Sequence, residues 1–133
     1  MGRDKKRSRS TPFVKIDHYI LKTDAYKSLS LAARAVLTEL VRRHNGYNNG
    51  NICASERSLA DEIGCDRRTI RRALKELEHK GFIKLTQKGS FNWKTGAGEG
   101  LGNTYSLTWL ERQDIQGGNR QATKEFARWA ASQ

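Results

Sequence analysis

Two segments with apolar residues at helical period, 56–63 and 67–80, stand only three residues apart in this chain. Leu59, Ala60 and Ile63 mark the first, Ile70, Ala73, Leu74 and Leu77 the second, and Gly64-Cys65-Asp66 separates the segments. So short a connection leaves few arrangements. Ser55 is an N-cap candidate for a helix over Glu56–Ile63, and Gly64 suits the left-handed stop that ends one. Asp66 is the next N-cap, for a helix from Arg67 to about Lys80, which Gly81 ends. Two helices crossing steeply need a small residue where they touch, here Ala60. The turn needs glycine at its start, and the second helix needs an apolar anchor one turn in, here Ile70. These demands are those of a helix-turn-helix.

The whole chain is 133 residues long, enough for one domain with appendages. Ile16, Tyr19 and Ile20 have helical spacing within Phe13–Leu29, which is expected to pack as one short strand or helix. Ser30 caps a helix over Leu31–His44, with Leu31, Ala35, Val36, Leu40 and Val41 expected on its inner side. Residues 45–50 are a turn cluster and Asn51–Ala54 a short strand. Phe82–Thr86 and Asn103–Leu110 make a hairpin around a loop containing Gly89, Gly96, Gly98, Gly100 and Gly102. Gln116–Asn119 is a linker, and Arg120–Ala131 a short helix with Ala122, Phe126, Trp129 and Ala130 on one face. The expected class is mainly α with a small β-hairpin, a winged helix-turn-helix. Residues 1–12 form a disordered basic arm, 13–115 the winged domain, and 116–133 the linker and C-terminal helix.

The net charge of +11 is concentrated. Residues 1–12, with Arg3, Lys5, Lys6, Arg7 and Arg9, net +4; residues 67–94 net +7; the rest is balanced. An ordinary solvated surface mixes its signs, whereas a basic tail plus one basic segment resembles a footprint for a polyanion.

The second helix of the motif sharpens this. At 100° per residue, Arg67, Arg71, Lys75, Arg68 and Arg72 span about 0° to 140°, opposite Ala73, Leu77, Ile70 and Leu74 at about 240° to 340°. The outward face is expected to hold five cations and no acid, with Glu76 and Glu78 later and off it. Arginine forks match guanine O6 and N7, and lysine suits phosphate. Asp66 and Thr69 cap the N-terminus, whose free amides can also face a phosphate. In the wing, Lys84, Lys88, Ser90, Asn92, Trp93 and Lys94 are candidates for the backbone or the minor groove, with Trp93 alternatively a lid over the hairpin.

At these residues the chain resembles a known family. Leu29–Arg34, Ser58–Ile70 and Ala73–Ile83 look like bacterial winged helix-turn-helix proteins. More narrowly they are similar to the replication-initiator-like proteins of proteobacterial chromosomes, plasmids and phages. Ala122–Trp129 resembles the C-terminal signature of those proteins, and Ser58–Ile83 is the specific part. The resemblance implies DNA binding through the Arg67–Lys80 helix and the wing. The glycine-rich wing is longer than the tight turns such hairpins often have, so wing contacts transfer least.

No other chemistry has its residues. Cys53, Cys65, His18, His44 and His79 lack the paired short spacings of a zinc site, and the two thiols read as small and partly buried. No nucleophile or carboxylate constellation marks an enzyme, and the glycine run at 96–102 lacks phosphate-cradle spacing, so no metal, cofactor or catalytic residue is expected. There is no apolar run of membrane-spanning length and no apolar signal-peptide core. The expected location is cytoplasmic, on the nucleoid, or in the host cytoplasm for a phage-encoded chain. The expected partner is double-stranded DNA, in a transcriptional regulator first. A replication or excision accessory factor, and a module that binds proteins through the winged surface, stay open. So does a homodimer, built through the Phe13–Leu29 segment or the C-terminal helix.

Overall fold

A computed structural model describes residues 11–89 and 102–131. In chain order come α1 (His18–Leu21), α2 (Asp24–Lys27), α3 (Leu31–Arg43), β1 (Ile52–Ala54), α4 (Glu56–Ile63), α5 (Arg67–His79), β2 (Ile83–Gln87), β3 (Asn103–Leu107) and a 3-10 turn, Glu125–Arg128. The fold is a winged helix-turn-helix: mostly helical, with a small antiparallel sheet.

Residues 13–29 are two one-turn helices rather than one element. The chain breaks at Lys22-Thr23, and the Thr23 side chain accepts from the Tyr26 amide to start α2. Ser30 caps α3 by accepting from the Ala33 amide at 3.1 Å. Its own amide and hydroxyl donate to the Glu76 carboxylate on α5, at 2.9 and 2.7 Å. Lys80 Nζ donates to the same carboxylate at 3.1 Å. Burial alone would raise the Glu76 carboxyl, but Ser30 and Lys80 together hold it below the ordinary range. One acid thus joins the start of α3 to the end of α5.

The buried side of α3 is the expected one only at Val36 and Leu40. Ala33, Val36, Leu37 and Leu40 point inward, while Leu31 is 82 % exposed. The expected stripe is mis-phased: at 100° per residue, Leu31 lies roughly opposite the centre of those four. Val41 is half-buried at the edge of the stripe, and Ala35, half-buried too, lies on the outer side near Leu31. Glu39, beside the stripe, is buried and accepts from Arg42 and Arg43. Arg42 foremost holds the Glu39 carboxyl below its ordinary value, against the opposing effect of burial. A depressed folded value means the contribution is complete above pH 4.5, the ordinary glutamate value, and is lost as pH falls through the folded value. Glu39→Gln should therefore lower stability near neutral pH by about 1 kcal/mol, discounting for the exposure of Arg42. Denaturant titrations at falling pH should show the gap to wild type closing; a gap constant down to pH 3 would rule out the ionised pair as its source.

The expected hairpin is part of a three-stranded sheet in the order β1-β3-β2. Ile52 pairs with Tyr105, and Lys84 with Ser106; the register shifts between Leu85 and Gln87. Tyr105, Leu107, Ile83, Ile52 and Ala54 are buried. Cys53, alternating outward between Ile52 and Ala54, is exposed rather than partly buried, and Cys65 is half-buried; both thiols are free.

The C-terminal segment departs most from expectation. There is no α-helix over Arg120–Ala131, only the 3-10 turn. Thr123 and Lys124 both donate their amides to the Thr108 carbonyl, at 2.9 and 3.0 Å, and Lys124 has φ +50°. These bonds bring the chain in extended and turn it sharply, which an α-helix starting at Arg120 cannot do. The turn delivers Phe126, fully buried, onto Phe82 with ring centroids 4.9 Å apart. Trp129 is half-buried under Lys80, while Ala130 is exposed. Gly81, at φ +87°, permits this: a Cβ there would lie 2.6 Å from the Phe126 amide nitrogen. Among the described residues no helix is long and apolar enough to cross a membrane.

Candidate nucleic-acid interface

Both helices of the motif begin on a side-chain cap. Ser55 accepts from the Ser58 amide at 3.1 Å to start α4, and Asp66 from the Thr69 amide at 2.7 Å to start α5. Thr69 in turn holds the Asp66 carboxyl below its ordinary range. Between the helices Gly64 sits at φ +85° and donates to the Ala60 carbonyl at 2.8 Å. A Cβ on Gly64 would meet nothing within 4 Å, so the glycine answers a backbone requirement rather than a lack of space. Ala60 is buried at the crossing, and Ile70, Ala73, Leu74 and Leu77 anchor α5.

Arg67, Arg68, Arg71, Arg72 and Lys75 are all exposed along the opposite side of α5, and Thr69 is half-buried at its start. On the helical wheel the pole opposite the anchors falls near 110°, at Arg68, between Lys75 and Arg72. Among the described residues these three are in no ion pair.

This face is not free of acid, contrary to the expectation from the sequence. Glu56, in the first turn of α4, reaches across to it. Arg71 Nε and Nη2 each donate to one Glu56 carboxylate oxygen at 3.0 Å, and Arg67 Nη2 stands 3.9 Å away. Arg71 foremost holds the Glu56 carboxyl below its ordinary range; Arg67 and Lys75 add to the effect. A helical wheel of α5 alone cannot contain this pairing, because the acid comes from another helix. Its one sequence signal is an acid at the first position after the Ser55 cap. The expected placement of Glu78 off the face also needs correction. It falls at about 20° on the wheel, between Arg67 and Arg71, so only its distance along the axis separates it from them. It is half-buried, and burial raises its carboxyl against the pull of Lys75. Burial also raises the Tyr105 hydroxyl, with Glu78 and Glu56 contributing, so both acids lie near that buried tyrosine at the base of the wing.

Of the wing candidates, Lys84 is paired with Glu125 at 3.0 Å, so the C-terminal segment partly neutralises it. Lys88 is exposed, and the neighbouring Gly89 amide donates to Asn103 at 2.7 Å. Ser90, Asn92, Trp93 and Lys94 lie outside the described residues, as do Arg3, Lys5, Lys6, Arg7 and Arg9 of the arm. Among the described residues no group of three His, Cys, Asp or Glu could hold a metal ion.

Residues 27–83 match a family model described as a helix-turn-helix domain. The match runs from the end of α2 to the first residue of β2, so it contains α3, the whole motif and α5 but not the wing. The matched segment, under half of the chain, is thus similar to helix-turn-helix domains, a kind of unit whose second helix enters the DNA major groove where it binds DNA. No curated protein and no solved structure matches the chain.

Proposed function

We propose that this chain is a sequence-specific double-stranded DNA-binding protein that regulates transcription. The observation that carries the reading is the outward pole of α5, where exposed Arg68, Arg72 and Lys75 stand free of ion pairs among the described residues. Acids do stand one turn further along, Glu76 after Arg72 and Glu78 after Lys75, but Ser30 and Lys80 occupy Glu76 and neither acid forms an ion pair with this face among the described residues. Arg67 and Arg71 complete the face on the α4 side, and the α5 N-terminus at Asp66 and Thr69 approaches the backbone. Lys88 follows the flanking phosphates, joined by Ser90, Asn92, Trp93 and Lys94 in the wing. Lys84 is the weakest wing candidate, since Glu125 already pairs with it.

Selection of bound duplexes from a random DNA pool tests the reading: one enriched motif supports it, and recovery of unenriched DNA at every salt concentration sinks the specificity. A two-fold repeated motif would add pairing of two copies. The C-terminal helix proposed for such pairing is absent, and Phe126 is buried, so the α1–α2 surface around half-exposed Tyr19 is the remaining route. Placing the motif at a reporter promoter tests the regulatory half, which an unchanged output would remove.

Two expectations accompany the proposal. Alanine at Arg68 or Arg72 should cost about 1–3 kcal/mol on the selected site and relax preference at one base position, if that arginine reads guanine. An equal loss on every duplex would reduce it to a phosphate ligand. Deleting residues 1–12 should weaken binding to any duplex similarly and make the slope of log K against log salt shallower, by about 0.9 for each phosphate the arm had neutralised. A changed base preference would instead mean that the arm enters the minor groove and reads it.

A further inference from the structure

Glu56 is an anomaly on a surface proposed to meet phosphates. It occupies the first turn of α4, a helix start that would otherwise attract an anion through its free amides. Its carboxylate instead adds a negative charge beside α5 and holds Arg71 through two parallel bonds of 3.0 Å. The Arg71 side chain is 53 % exposed, and ion pairs at such exposure contribute little to stability. The backbone that enters α4 is closely packed: Gly102, at the base of β3, lies so near the preceding Ser55 that a Cβ would be 2.8 Å from the Ser55 Cβ. Glu56 thus starts from a packed helix entry, and the consequence of its clamp lies in what it does to Arg71.

We infer that Glu56 is a positioning residue that converts Arg71 from a general phosphate ligand into a specificity determinant. This rests on the DNA-binding reading above. A guanidinium has five N–H donors, and the carboxylate takes two of Arg71's, along the Nε–Nη2 edge. The Nη1 side stays free, in a plane the bidentate pair fixes. Neutralised, Arg71 gains little from a phosphate, which would also meet the Glu56 charge. A guanine edge presents two acceptors at fixed spacing and carries no charge, so it suits a fork that is already oriented. Arg67, 3.9 Å from the same carboxylate, is drawn toward it more loosely. Arg68 and Arg72 have no such bidentate clamp among the described residues; the exposed Asp66 carboxylate acts on them only through its charge, so nothing fixes the plane of their forks before DNA arrives.

The test is a cycle of Glu56→Gln, Arg71→Ala and the double substitution. Affinity is measured on the selected duplex and on a scrambled one across a salt series, with thermal unfolding alongside. Glu56→Gln should tighten binding to scrambled DNA and steepen its salt slope by about 0.9 for each phosphate that Arg71 then neutralises. The ratio of selected to scrambled affinity should fall by about tenfold, the order of one bidentate base pairing. In the Arg71→Ala background the same substitution should leave that ratio unchanged, because the effect runs through Arg71. Equal weakening on both duplexes with a lowered unfolding temperature would make Glu56 merely structural and overturn the inference. So would an unchanged ratio and slope. Wild-type protein that binds no duplex would overturn the DNA-binding reading itself, which separates the two failures.

Discussion

Replacing Phe126 with alanine should destabilise the protein by about 3–5 kcal/mol, the range for deleting a buried phenylalanine ring. The ring is fully buried, stacked 4.9 Å from Phe82 and edge-on to Trp109 at 6.0 Å. Phe82 follows Gly81 at the end of α5, so the C-terminal turn buttresses the helix that carries the proposed DNA-binding face. Two further bonds reinforce the join: the Thr108 hydroxyl donates to the Gly81 carbonyl at 2.7 Å, and the Thr108 amide to the Phe82 carbonyl at 3.0 Å. Denaturant unfolding of wild type and Phe126→Ala measures the loss; a change under about 1 kcal/mol would mean the segment is only draped over the surface. The same packing bears on any chain shortened at Gln116. Such a chain gives up a core residue along with the tail, so a change in its association or DNA binding would report reduced stability before a missing interface.

The sequence disclosed the motif well because every boundary in it has its own chemical signal. Ser55, Gly64, Asp66 and Gly81 mark the ends of α4 and α5, and each does locally what its residue type allows. Elements set by distant partners were harder. Ala122, Phe126, Trp129 and Ala130 have helical spacing, yet the Thr108 carbonyl captures two amides and Phe82 captures the ring, so long-range packing overrides the period. Leu31 misled because an apolar residue at a helix start need not face inward. The strand after the wing was legible as the partner of β2, though it ends at Leu107 rather than Leu110, but nothing local announces that β1 will pair with its other edge. Glu56 is the instructive omission at the interface: a wheel of α5 shows only the residues α5 owns, whereas the crossing angle decides what α4 adds.

Asn49 carries the second large effect, since it was legible only as part of a turn. It is fully buried, and its amide group is used on both sides. Oδ1 accepts from the Leu107 amide at 2.7 Å; Nδ2 donates toward the carbonyls of Leu107, Leu110 and Glu111 at 3.1, 3.2 and 3.0 Å. Its backbone is also tied to Gln113, through the amide at 3.1 Å and the carbonyl at 3.0 Å. One side chain thus closes the end of β3 against the loop that leads into β1, and β1 leads into the cap of α4. Asn49→Leu keeps the volume and removes every side-chain bond, stranding a buried N–H and reducing the satisfaction of three carbonyls. With about 1–3 kcal/mol for each buried group left unpaired, the expected loss is about 3–5 kcal/mol. Asn49→Asp separates polarity from shape. The introduced carboxylate can still accept from the Leu107 amide but faces three carbonyl oxygens, which favours its protonated form. Its folded pKa should then exceed its unfolded one, so the variant should lose stability as pH rises from the unfolded value through the folded value. That is opposite in sign to the contribution of Glu39. Unfolding free energies of both variants between pH 4 and 8 check this; a pH profile for Asn49→Asp parallel to wild type would show that water reaches the site and that the bond network is not closed.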